Sequence, residues 1–228
     1  MTFIFEPARQ VTLPVTGTDA RFPVNNIYCV GRNYADHAIE MGHDPNREAP
    51  FFFLKPSYCV LPSGGEMVYP AHSEDVHHEV ELVVALKSGD QDIAVQAAMN
   101  HVFGYGVGID MTRRDLQAEA KSLGRPWEAG KVFLHAAPCS DLTAIEQTGP
   151  LEHGEISLSI NDQEKQSGNL SQMIWKVPEI ISRLSSLFSL APGDLIFTGT
   201  PAGVGPVARG DSILAKVAGL TELRIGIS

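Results

Sequence analysis

Apolar residues come in short runs separated by glycine, proline and polar clusters, a pattern of many strands and few helices. Asn26 to Val30 reads as a buried strand that breaks at Gly31. Phe51 to Leu54, Val80 to Leu86 and Val102 to Ile109 read the same way, and Ile156, Leu158 and Ile160 alternate as one side of a hairpin. Helical spacing predicts a short helix over residues 33–41, ended by Gly42. A second helix is predicted from Thr112 to Leu123, with Thr112 as N-cap, Asp115 three residues on, and Gly124 and Pro126 as the stop. From Gln172 to Leu190 the residues Met173, Ile174, Val177, Ile180, Ile181, Leu184, Leu187 and Phe188 follow helical spacing, a core-facing stripe without chemistry of its own. Ala191-Pro192-Gly193-Asp194 then turns into the strand Leu195 to Phe197, and residues 44–50 read as a polar, proline-flanked loop. Strands and helices do not alternate regularly, which argues against a doubly wound sheet and for a β-rich α+β fold.

At 228 residues and 43% hydrophobic, the chain can bury one sizeable core. Residues 1–22 are expected to be a strand and loop leading into a single domain over residues 23–228. A formal net charge of -10 with no lysine or arginine block speaks against nucleic-acid and membrane-surface partners. No apolar run approaches the roughly 18 residues of a membrane span, and MTFIFEPARQ does not read as a signal peptide, so a cytoplasmic protein is expected. Cys29, Cys59 and Cys139 are widely spaced and form no C-x-x-C pair, so buried thiols are expected rather than a disulfide or zinc framework.

The chemistry concentrates in His77-His78-Glu79-Val80-Glu81-Leu82-Val83-Val84-Ala85-Leu86. On a strand Glu79 and Glu81 share a face, and that face continues with Val83 and Ala85 rather than staying polar. Two carboxylates so placed repel each other unless a cation compensates. Asp110, closing the run from Val102 to Ile109, is a third acid, although a helix cap or a solvated residue reads the same way. Three oxygen donors without a cysteine or histidine pair suit Mg²⁺ or Mn²⁺. Leu82 stands where H-E-x-x-H needs its second histidine, which excludes a zincin and leaves His77 and His78 as supporting or surface groups.

Arg114, Gln117 and Lys121 fall at i, i+3 and i+7 on the second helix, a shared face that is either solvated or functional. Residues 124–131 form a loop that delivers Lys131, which is either a surface lysine or, near a metal site, a group that can neutralise an oxyanion. His37 and Glu40, at i and i+3, are either a surface pair or a carboxylate-oriented imidazole on a lid. There is no G-x-S-x-G elbow, no P-loop and no G-x-G-x-x-G fingerprint.

Together GRNYADHAIEMG (31–42), FFLKP (52–56), HHEVELVV (77–84), GIDMTRRDLQAEAK (108–121), GRPWEAGKVF (124–133) and FTGTPAGVG (197–205) resemble the fumarylacetoacetate hydrolase family, its acylpyruvase and fumarylpyruvate hydrolase branch in particular. The resemblance implies a mixed β-sandwich roll with a few peripheral helices, a homodimer, and a small-molecule β-diketo acid as substrate. It implies Glu79, Glu81 and Asp110 as ligands of Mg²⁺ or Mn²⁺, with His37, Glu40 and Lys131 catalytic and Arg114, Gln117 and Thr200 holding the substrate. Gly130 stands where the resemblance leads one to expect alanine. The implied reaction is hydrolysis of a carbon–carbon bond in an acylpyruvate, fumarylpyruvate to fumarate and pyruvate in aromatic (gentisate) catabolism. Oxaloacetate decarboxylation or oxo-acid tautomerisation at the same site is the alternative. A chain this acidic does not attract such anions by its overall charge, so local cations must reverse the potential at the site.

Overall fold

The strand Val80–Leu86 has all seven residues buried, because a sheet surrounds it and a second sheet covers it. The computed structural model describes residues 2–35 and 49–228. Across the large sheet the order is Phe51–Lys55, Ile27–Gly31, Leu195–Phe197, Val80–Leu86, Val102–Ile109, Ala137–Cys139 and Val60–Pro62, with Thr143–Ala144 also pairing with Val102–Ile109. Two neighbouring pairs are parallel, Leu195–Phe197 with Ile27–Gly31 and Ala137–Cys139 with Val60–Pro62, so the sheet is mixed. A five-stranded sheet runs Gln163–Asn169, Glu155–Ile160, Ser212–Val217, Leu223–Ile227 and Glu66–Met67. Its strands Glu155–Ile160 and Ser212–Val217 pack on Val80–Leu86 and Val102–Ile109.

The expected hairpin is present, with Ile156, Leu158 and Ile160 buried. Asn161 and Asp162 turn it at φ values of 50° and 64°, the left-handed pair that a two-residue hairpin loop needs. Helices are few among the described residues, chiefly Arg114–Ser122 and Val177–Ser185. Cys29, Cys59 and Cys139 are buried free thiols.

Three elements differ from their sequence patterns. The stripe over 172–190 forms a helix only from Val177 to Ser185, because Pro178 tolerates the first turn but not a turn running through it from Ile174. The preceding turn, Leu170–Gln172, is instead a separate 3₁₀ segment capped by the Asn169 side chain. Thr112 is not an N-cap, since Thr112–Arg113 pairs with Val76–His78 and the helix begins at Arg114. Residues 77–86 are not one strand either. Val76–His78 pairs with Thr112–Arg113 and Gly205–Pro206, whereas Val80–Leu86 belongs to the large sheet, so the chain changes sheets at Glu79. Of the predicted helix over 33–41, Asn33, Tyr34 and Ala35 are described, and His37 and Glu40 lie outside the described residues, as do residues 44–48 of the predicted loop.

Candidate active site

The change of sheets at Glu79 brings its carboxylate together with two others. Glu81 projects from Val80–Leu86, and Asp110 follows directly on the antiparallel neighbour Val102–Ile109, where its N–H donates to the Glu79 carbonyl at 2.8 Å. Oxygens of Glu79, Glu81 and Asp110 all lie within 4.8 Å of one another, and all three side chains are buried. The backbone supports Glu81 directly, through a 2.7 Å hydrogen bond from the Gly199 N–H. Gly199 turns that N–H inward at a φ of 97°, and a Cβ there would come within 2.7 Å of the Asn33 side chain. Asn33 in turn donates to the carbonyls of Thr198 and Trp175, at 2.8 and 3.0 Å, tying residues 31–34 to the Thr198-Gly199-Thr200 segment.

Three cations accompany the three acids. Lys131 Nζ donates to Glu79 Oε2 at 2.9 Å, Asp110 Oδ2 at 2.6 Å and Thr112 Oγ1 at 2.7 Å. Those bonds use all three protons of the ammonium, so none remains for an oxyanion in this arrangement. Burial pulls the Lys131 ammonium down, but Asp110 and Glu79 outweigh it and hold it above the usual lysine value. Arg114 Nη2 donates to Glu79 Oε1, and its Nη1 donates to Gln117 Oε1 at 2.6 Å. Lys55 Nζ lies 2.8 Å from Asp110 Oδ1 and also donates to the carbonyls of Met111 and Ala136 at 2.9 and 2.8 Å.

Glu81 is the exception, with no cation bonded to it among the described residues. Burial, then the charges of Asp110 and Glu79, push its carboxyl well above the usual carboxylate range. A converging all-oxygen set and a buried acid with no cation bonded to it among the described residues fit a hard divalent ion, Mg²⁺ or Mn²⁺. The lysines and the arginine do not compete for that place outright. Two carboxylate oxygens offer about four acceptor directions, so outer partners can orient an acid that also ligates a metal.

A small open cleft leads onto the acids. Arg114, Gln117 and Lys121, the shared helical face, all line it, as do Lys131 and Thr200. Thr200 is held from behind by the buried Gln166. The amide nitrogen of Gln166 donates to Thr200 Oγ1 at 2.8 Å, while its oxygen accepts from the Val80 N–H at 3.0 Å and meets His78 Nδ1 at 2.8 Å. His78 is buried and His77 pairs with Asp75, so both histidines serve as supports. Gly130 is accounted for by packing, because a Cβ would lie 2.9 Å from the backbone nitrogen of Gln117. The turn Glu128–Lys131 therefore sits directly against the helix that carries Arg114 and Gln117.

Several cleft residues have no counterpart among the site residues expected from sequence. Alternation along Phe51–Lys55 puts Phe51, Phe53 and Lys55 on one face, the two rings in the cleft wall and the lysine at Asp110. A lone lysine ending an aromatic face was the signal available for Lys55. Arg32 and Trp127 also line the cleft, and their motifs carried no hint of it.

A model of the fumarylacetoacetate (FAA) hydrolase C-terminal region matches residues 26–228. The solved structure of fumarylpyruvate hydrolase from Pseudomonas aeruginosa, in complex with Mn²⁺ and pyruvate, is 48% identical and superposes with a TM-score of 0.97, covering 99% of each chain. Fumarylpyruvate hydrolase of a Ralstonia species is 40% identical over 184 residues, 81% of this chain and 95% of its own. The mitochondrial oxaloacetate tautomerase FAHD1 of Mus musculus is 42% identical over 202 residues, 89% of this chain and 91% of its own.

Proposed function

The chain belongs to the fumarylacetoacetate hydrolase family, and on that premise we propose that it is a metal-dependent hydrolase that cleaves fumarylpyruvate to fumarate and pyruvate. The convergence of Glu79, Glu81 and Asp110 at the floor of a cation-lined cleft carries this reading. Mg²⁺ or Mn²⁺, when bound, supplies Lewis-acid stabilisation of negative charge on the substrate's oxygens. Lys55, Lys131 and Arg114 pair with Glu79 and Asp110 and none with Glu81, so a divalent ion would supply the positive charge that Glu81 and the pyruvyl end of the substrate share. Lys131 fixes Glu79 and Asp110 relative to each other, and Arg114, Gln117 and Thr200 border the substrate. His37, oriented by Glu40, takes a proton from water, and the hydroxide adds to the acyl carbonyl. The carbon–carbon bond then breaks, and pyruvate departs as its enolate and is protonated. The same reading extends to a cytoplasmic homodimer in aromatic (gentisate) catabolism, on the strength of the resemblance to fumarylpyruvate hydrolases; no helix among the described residues is long and apolar enough to cross a membrane.

A second reading rests on the 42% identity to an oxaloacetate tautomerase. Tautomerisation, like decarboxylation of oxaloacetate, uses the same enolate stabilisation but no activated water. A panel of fumarylpyruvate, acetylpyruvate and oxaloacetate, with native protein and His37→Ala, separates the two. The hydrolase reading expects loss of the fumarylpyruvate chromophore, slowed on the order of 10²–10⁴-fold in His37→Ala. Rapid turnover of oxaloacetate with no cleavage of either diketo acid refutes it.

A further inference from the structure

Two cations of the cleft form no ion pair among the described residues. Arg114 and Lys131 are engaged by the carboxylates of the floor. Arg32 and Lys121 line the same cleft and pair with no carboxylate among the described residues. They rest on aromatic rings instead. Arg32 Cζ lies 5.5 Å from the centroid of Phe51, and Lys121 Nζ lies 5.0 Å from that of Trp127. The two rings meet edge to face at 5.2 Å, so a single aromatic contact joins the two cation–ring pairs.

Like charges crowd this wall of the cleft, and an anion entering it would relieve their repulsion. Burial, then the like charges of Arg114 and Arg32, pull the Lys121 ammonium below its ordinary value. Arg32 is held at a φ of 59°, a left-handed backbone that residues with side chains rarely adopt, so its place is set by the surrounding fold rather than by local preference. A guanidinium fork and an ammonium, both half-buried and both stacked on rings, make a carboxylate receptor. The inference rests on the reading above, in which pyruvate leaves as an enolate whose charge a metal at the floor would stabilise, so the pyruvyl end of the substrate is placed at Glu79, Glu81 and Asp110. The other end of the substrate is then what meets these cations.

We infer that Arg32 and Lys121 bind the terminal carboxylate of the acyl tail, so that the enzyme selects acylpyruvates that end in a second carboxylate over those with neutral tails. The Phe51–Trp127 pair forms the flat apolar wall along which an unsaturated tail lies, and the two cations fix its end.

The test compares native protein with Arg32→Gln and Lys121→Gln in two measurements. In the first, kcat/KM is determined with Mn²⁺ for fumarylpyruvate, whose tail ends in a carboxylate, and for acetylpyruvate, whose tail is neutral. Each variant is expected to lower kcat/KM for fumarylpyruvate about 10- to 100-fold more than for acetylpyruvate, mainly through KM. In the second, fumarate is titrated into metal-free protein and followed by tryptophan emission, and each variant is expected to need about 10-fold more fumarate or above. Equal losses on both diketo acids, no loss on either, or an unshifted fumarate titration overturns the inference. If native protein hydrolyses neither diketo acid, the hydrolase reading fails by itself. The fumarate titration then decides whether Arg32 and Lys121 form an anion receptor.

Discussion

Lys131 Nζ sits 2.6 Å from Asp110 Oδ2, and both side chains are almost wholly buried. Because the same ammonium also holds Glu79, its removal leaves two buried carboxylates facing each other. Breaking a buried pair in this way costs about 3–5 kcal/mol. Lys131→Met is therefore expected to destabilise the metal-free protein by about that amount. Mn²⁺ should raise the melting temperature more in the variant than in the native protein, because the ion replaces the missing charge. Thermal melts in EDTA and in Mn²⁺ check this, and equal metal-induced shifts in the two proteins argue against it.

Glu81 gives the pH dependence. Its carboxyl is held well above the usual range by burial and by Asp110 and Glu79, so in the metal-free protein it keeps its proton to higher pH than an ordinary glutamate. A group with a raised folded-state value favours the fold below its unfolded value, and that contribution is lost as pH rises through the folded value. Metal-free stability should accordingly decline as pH climbs through that interval, and Mn²⁺ should abolish the decline. Metal affinity should rise over the same interval, with uptake of the ion releasing a proton from Glu81. Calorimetric titration of Mn²⁺ in two buffers of different ionisation enthalpy reads the proton directly. Affinity that does not change with pH tells against Glu81 as a ligand.

Gly130 provides a packing test. An alanine Cβ there would approach the Gln117 backbone nitrogen to 2.9 Å and its Cα to 3.0 Å, and backbone atoms cannot step aside as a flexible side chain can. Gly130→Ala should cost about 1–3 kcal/mol and should reduce turnover by moving Lys131 relative to Gln117. A chemical melt together with kcat measures both. Unchanged stability would mean that the turn Glu128–Lys131 shifts freely.

What could be read from the sequence was local. The run Val80–Leu86 and the alternation of Ile156, Leu158 and Ile160 announce strands because a pleated chain repeats every two residues, and both appear where expected. Acids set into an apolar strand likewise stood out, since burial of Glu81 has no apolar rationale. The misjudged features depend on partners distant in sequence. Thr112 is a strand residue because Val76–His78 lies beside it, and Glu79 departs from its strand because the chain changes sheets there. Lys55 reaches Asp110, and Arg32 reaches Phe51, only once Phe51–Lys55 is laid against Ile27–Gly31. The aromatic wall of the cleft is a product of sheet order, which no short window of residues contains.

The central claim is that Glu79, Glu81 and Asp110 together hold one divalent ion despite the ammonium already between two of them. A crystal grown with Mn²⁺ and measured for anomalous scattering tests it most directly. A single strong peak is expected within about 2.0–2.3 Å of one oxygen from each of these acids, and it should vanish in Glu81→Ala. An empty floor with Lys131 still bridging Glu79 and Asp110, or a peak bound elsewhere, would contradict the account.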